Sequence, residues 1–109
     1  MAMETREERY DAAQRIKESG DLEAAISALE SVVGDHPDFA LAHAALAAWC
    51  RRLQRFEEAI RHARRVCELE PNDPLSYTAL SVICMQAGQI PQAEEALARS
   101  RMLQSPPGR

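Results

Sequence analysis

Aromatic residues make up only 5% of the chain, so its core cannot be built from packed rings and must come from Ala, Leu, Ile and Val. Glycine is scarce, with four among 109 residues, while alanine is abundant, and that balance favours helix. Lysine occurs once, at Lys17, and the net charge is −4. With no basic stripe interleaved with aromatics, nucleic-acid binding is not expected. No apolar run approaches the roughly 20 residues of a membrane span, so membrane insertion is not expected either. The N-terminal stretch MAMETREERYDAAQ lacks the apolar segment of a signal peptide, which points to the cytoplasm. Three cysteines without an export signal suggest reduced thiols rather than a disulfide framework.

What the chain does have is a repeat. FEEAIRHARRVCELEPNDP, residues 56–74, shares its frame with LEAAISALESVVGDHPDFA, residues 22–40. Ala25-Ile26 answers Ala59-Ile60 and Pro37 answers Pro71, an offset of 71 − 37 = 34 residues. IPQAEEALARSRMLQSPP, from Ile90, places Ala93 at the third instance. A fixed period of this length is the signature of stacked supersecondary units.

Within each period the apolar residues recur at helical spacing, and no segment alternates as a strand does. Thr5-x-x-Glu8 is a capping box that starts the first helix, and Gly20-Asp21 breaks it. Leu22, Ala25, Ile26, Leu29, Val32 and Val33 form the stripe of the second, which ends between Gly34 and Pro37. Helices are expected from about Phe39 to Leu53 and from about Phe56 to Leu69. Asp73-Pro74 starts a fifth, with Asp as N-cap and Pro at the first helical position, and Gly88 ends it. Pro91 opens a sixth and Pro106-Pro107-Gly108 stops it. Glu57-Glu58 and Glu94-Glu95 head their helices, where acids complement the dipole. Connections this short make neighbouring helices antiparallel.

These residues resemble the tetratricopeptide repeat (TPR), whose pattern is W-x2-L-G-x2-Y, then A-x3-F, then P. The second copy reads His43-x2-Leu46-Ala47-x2-Cys50, Ala59-x3-Ala63, Pro71. The third reads Tyr77-x2-Leu80-Ser81-x2-Cys84, Ala93-x3-Leu97, with Ser105 at the proline position. The first reads Arg9-x2-Ala12-Ala13-x2-Ile16, Ala25-x3-Leu29, Pro37. The expected fold is all-α, with three antiparallel helix pairs stacked as a short right-handed superhelix and no separate C-terminal capping helix. The domain spans residues 6–107, in repeats of about 6–39, 40–73 and 74–107. Ala13, Ala47 and Ser81 are small because the two helices of a pair approach closely there, and one pair alone cannot bury its apolar face.

The resemblance implies a concave groove lined by the first helix of each pair. It would hold Tyr10, Gln14 and Lys17 from the first, Leu41, Ala44, Ala48, Arg51 and Arg52 from the second, and Leu75, Thr78, Val82 and Met85 from the third. Leu41, Leu75, Val82 and Met85 have no use in closing the repeats, and unused apolar surface suggests a contact site. The family's carboxylate clamp of Lys and Asn is replaced by Tyr10 and Gln14, with Ala45 and Ala79 at other clamp positions. Chaperone-tail binding of that kind is therefore not expected. An apolar floor with arginines at one end suits an amphipathic helix, or an extended apolar peptide with acidic flanks.

Charge is also divided along the chain. Residues 1–35 hold nine acids and four bases (4 − 9 = −5), and residues 51–65 hold six arginines and two acids (6 − 2 = +4). These read as solvated helix faces, or as an acidic and a basic end that select a partner. TPR arrays often end in an extra helix, and only SPPGR follows Gln104. A face containing Ile83, Leu97 and Leu103 is thus expected to self-associate or to dock a partner.

Cys50 and Cys84 occupy equivalent positions, too far apart for a disulfide, and no C-x2-C or H-x3-H pair offers a metal site, so no metal or cofactor is implied. His43 is expected in the core, His36 at a helix C-terminus and His62 facing solvent. Trp49 adjoins a core position, at a repeat interface or near the groove. No catalytic constellation is present. The sequence thus points to a non-enzymatic protein-interaction module, a small adaptor or assembly factor. The alternative is a small three-repeat chaperone that holds an unfolded or secreted client.

Overall fold

In a computed structural model, which describes residues 4–105, the chain forms six helices. They are α1 Arg6–Glu18, α2 Leu22–Asp35, α3 Ala40–Arg52, α4 Phe56–Leu69, α5 Pro74–Gln86 and α6 Ile90–Gln104. No strand occurs among the described residues. Proline 106 and its neighbours, expected to stop the last helix, lie outside them.

The caps explain the boundaries. The Thr5 hydroxyl accepts from the Glu8 N–H at 3.1 Å, while the Glu8 carboxylate accepts from the Thr5 N–H at 3.1 Å. Asp21 accepts from the Ala24 N–H at 3.0 Å and Asp73 from the Leu75 N–H at 3.0 Å. These bonds satisfy amide donors that no helical carbonyl can reach. The turns inside the three pairs share one device. Gly20 and Gly88 adopt φ of 101° and 80°, and Gln54, at 20 + 34, adopts φ of 60°. Gln54 thus holds the left-handed conformation that glycine supplies in the other two repeats. One expectation is corrected here. Helix α6 begins at Ile90 and has no acid in its first turn, so Glu94 and Glu95 sit a turn too far in to complement its N-terminus.

The helices pack in sequence, α1 on α2, α3 on α4 and α5 on α6, with α2 on α3 and α4 on α5 joining the pairs. The radius of gyration is 15.1 Å and the extents are 55 × 30 × 21 Å. A compact domain of this length would have a radius near 13 Å, so the molecule is an open array. Small residues make the close crossings: Ala13, Ala25, Ala42, Ala59 and Ala93 are fully buried. Ile26, Leu29, Val32 and Leu46 fill the space between. Trp49 is buried at the junction of the first and second pairs, with the Lys17 ammonium 5.4 Å from its ring centroid. Phe39 closes the same junction, meeting Tyr10 edge-on at 6.0 Å under the Arg6 guanidinium.

Ile83 is a second correction. It was expected on an exposed end face, but it is 3% exposed and belongs to the core. Position 83 follows the Leu80 stripe by three residues, and that places it on the inward side of α5.

Candidate functional site: the groove between α3 and α5

The first helices of the second and third pairs, α3 and α5, run side by side and leave a cleft of about 500 Å³ between them. Its floor is aliphatic and shallow because alanine recurs: Ala44, Ala47 and Ala48 come from α3 and Ala79 from α5. Leu41, Leu75 and Val82 line it and stay in solvent, with Leu41 53% and Leu75 69% exposed. None of these three is consumed by packing between the pairs. A leucine left that far in water has lost most of the roughly 2 kcal/mol that burial supplies, and a ligand can recover it.

Charge is arranged along the cleft. Arg51 lines it near the end of α3 and donates across to the Gln86 side chain of α5 at 3.4 Å. Glu70 and Asp73 line it at the start of α5. Asp73 is engaged as the N-cap, whereas the Glu70 residue is exposed. The groove is therefore polar at both ends, basic at one and acidic at the other. The sequence signalled only the basic end, because Glu70 and Asp73 read as parts of a repeat junction.

Among the groove residues expected from sequence, Leu41, Ala44, Ala48, Arg51, Leu75 and Val82 come together in the cleft. Arg52 and Met85 are exposed but do not line it. Tyr10 and Gln14 lie on α1, half-buried and hydrogen-bonded to each other at 3.0 Å, away from this cleft. Thr78 points elsewhere. Its hydroxyl donates to the Pro74 carbonyl and meets the buried Ser100 hydroxyl of α6 at 2.7 Å, so it fastens α5 to α6 rather than facing a ligand. Leu97 and Leu103, expected on an exposed end face, are half-buried along α6.

Behind the groove, between α2, α3 and α4, lies a polar cluster that the sequence did not reveal. His62 was expected in solvent but is 4% exposed. It stands where the other repeats place Ala28 and Ala96, on the inward face of the second helix. The Nδ1 atoms of His43 and His62 face each other, His43 Nε2 meets the Pro37 carbonyl at 2.9 Å, and His62 Nε2 meets Glu30 Oε1 at 3.2 Å. Burial holds His62 below the ordinary histidine range, with Glu30 opposing and His43 and Arg61 reinforcing the shift.

Glu30, Cys50 and Glu58 place ligand-type atoms within 4.8 Å of one another. Each acid is already engaged, Glu30 by His62 and Glu58 by two guanidinium nitrogens of Arg55 at 2.9 and 2.6 Å. The Arg55 hydrogen bond holds the Glu58 carboxyl below its usual range, while burial pushes the Cys50 thiol up to about 11. A protonated thiol and two occupied carboxylates form a structural network rather than a ready ligand set. All three cysteines are free and buried.

The tetratricopeptide repeat model matches residues 17–74 and again residues 51–104. The chain belongs to the tetratricopeptide repeat family. No curated protein matches the sequence significantly. Solved TPR structures do match the fold. A chain of the CopN–Scc3 complex superposes with a TM-score of 0.87 at 18% identity, covering 98% of this chain and 64% of that one. MamA superposes at 0.82 and 16% identity, covering 91% of this chain and 58% of MamA. The second TPR of Spaghetti (RPAP3), bound to the HSP90 peptide SRMEEVD, superposes at 0.78 and 17% identity, covering 91% and 92%. This TPR chain thus spans less than two thirds of MamA and of the complexed chain. At such identities the likeness is one of fold, and the TPR fold is a protein-interaction scaffold.

No described helix is long and apolar enough to cross a membrane.

Proposed function

We propose that residues 6–107 form one non-enzymatic interaction domain, a cytoplasmic adaptor or assembly factor that takes an apolar helical or extended peptide in the groove between α3 and α5. The observation that carries this reading is the row of Leu41, Leu75 and Val82, exposed around an alanine floor. The charges at the two ends add direction. A bound segment would place acids against Arg51 and a base against Glu70, so it would lie in one orientation only. Two of the structural neighbours are held in complexes, one with a protein and one with a peptide, which supports a peptide-taking groove.

The test is selection from a displayed peptide library. The expected winners carry apolar residues at helical or alternating spacing with an acidic residue at one end, and lose binding to Leu75→Asp. Winners that bind Leu75→Asp and wild type equally would place the ligand elsewhere. The chaperone reading draws on the same exposed residues. It predicts instead that co-expression raises the soluble yield of an aggregation-prone client that has no folded counterpart in the groove.

A further inference from the structure

We infer that the segment held in the groove between α3 and α5 is an α-helix rather than an extended chain. The inference rests on the groove reading above and decides between its two kinds of ligand. The deciding feature is where the groove offers hydrogen-bonding groups and where it offers none.

Among the described residues that line the cleft, polar side chains sit only toward its ends. Arg51 is at one end, and Glu70, Asp73 and Ser76 are at the other. Asp73 is already spent. One of its carboxylate oxygens accepts from the Leu75 N–H at 3.0 Å and the other from the Ser76 hydroxyl at 3.3 Å. Between the ends the walls are Ala44, Ala48, Ala79 and Val82, with buried Ala47 and Ile83 behind them. All six lie inside α3 or α5, whose amides bond within their own helix.

An extended chain brings its N–H and C=O groups bare. Leu41 and Arg51 are 51 − 41 = 10 residues apart on α3, so the cleft runs for about 15 Å. An extended segment would cross it with about four or five residues, at about 3.3 Å each. The amide groups turned toward the alanine floor would leave water and find no partner. Each amide stranded in this way weakens binding by roughly tenfold. A helix crosses the same length with about ten residues, and its amides are bonded before it arrives.

The floor also has the shape for a helix. Ala44 and Ala48 are four apart on one face of α3, and Ala79 and Val82 are three apart on one face of α5. Together they bound a hollow in which short side chains leave room for a long one. The seated helix therefore carries a large apolar residue over the alanines, with a second one turn on against the exposed Leu41 and Leu75. An acid near one end of its apolar face meets Arg51, and a base near the other meets Glu70.

The experiment screens two displayed libraries against the full chain and against Leu75→Asp, with circular dichroism showing that the variant keeps its helices. Both contain peptides of about 14 residues with an acid at one end and a base at the other. One library repeats its apolar residues at helical spacing, and the other alternates them. The expected tight binders come from the helix-patterned library and become helical on binding. They lose about tenfold or more on Leu75→Asp. They lose as much when proline replaces a central residue on the peptide's outward face, which breaks the helix without touching the groove. Binders from the alternating library that are as tight, and that depend on Leu75, would keep the groove and overturn the helix. Helix-patterned binders that tolerate the proline would overturn it as well. No binders from either library, or binders indifferent to Leu75→Asp, would overturn the groove reading and this inference with it.

Discussion

His43 and His62 face each other through their Nδ1 atoms at 3.0 Å, and only one proton can lie between them. The outer nitrogens of the two rings meet the Pro37 carbonyl and the Glu30 carboxylate, which only accept. Three contacts therefore need three protons, and two neutral imidazoles carry two. With both rings neutral, one contact goes without. Protonation would complete the chain, but it would bury a positive charge.

Burial wins this competition, which is why His62 lies below its usual range. The unfolded chain then takes up a proton before the folded one does, so stability is lost as pH falls from about 6.5 through the lowered folded value. The groups facing His62 are Glu30 from α2, His43 from α3 and Arg61 beside it on α4. Urea unfolding between pH 7.5 and 5.5 should show a declining midpoint that flattens in His62→Gln. A midpoint that rises as pH falls would mean that the shared proton with Glu30 outweighs burial.

Gln54→Gly should raise stability. A non-glycine residue in the left-handed region costs about 1–2 kcal/mol, and glycine returns about 0.5–1 kcal/mol of that through the freedom of the unfolded chain. The expected gain is up to about 1 kcal/mol, read from the unfolding midpoint. Gly20→Gln should move the same measurement in the opposite direction.

The thiols should react slowly in the folded protein. Burial raises Cys50 and Cys67 to about 11 and raises Cys84 as well. Few are thiolate at pH 8, and all three side chains are buried. Titration with a disulfide reagent should give little signal until denaturant is added, and then three equivalents. Fast labelling without denaturant would show that a repeat opens locally.

Leu75→Asp separates fold from binding. At 69% exposure its loss should shift stability by less than about 0.5 kcal/mol, while a groove ligand should lose at least tenfold in affinity. A large drop in stability would mean that Leu75 belongs to the packing between repeats.

The features written in short-range chemistry were legible in the sequence. The capping box at Thr5 and Glu8, the N-cap at Asp73, and the alanine crossings each follow from a residue and its near neighbours. What escaped the sequence depends on contacts between helices. His62 is polar, and only its equivalence to Ala28 and Ala96 signals that it points inward. Glu30, Cys50 and Glu58 come from three helices and share no spacing. Thr78 occupies a groove position in the pattern, yet its bond to Ser100 on α6 turns it away. Gln54 is misleading in the same manner, because its backbone is set by the repeat and not by its own preference. The groove itself was half legible: the exposed leucines break the packing logic of the repeat, whereas its acidic end is disguised as a junction.

The open, sequential stacking of the helices has a further consequence. Each pair leans only on the next, so opening can begin at either end without disturbing the far side. The central pair, α3 and α4, is braced from both flanks and also holds the two facing imidazoles. Its amides should be the slowest to exchange with deuterated water, and protection should decline toward α1 and α6. The array would then behave as a zipper closed in the middle. The groove, which takes one wall from that pair, hangs from the part of the molecule that lets go last.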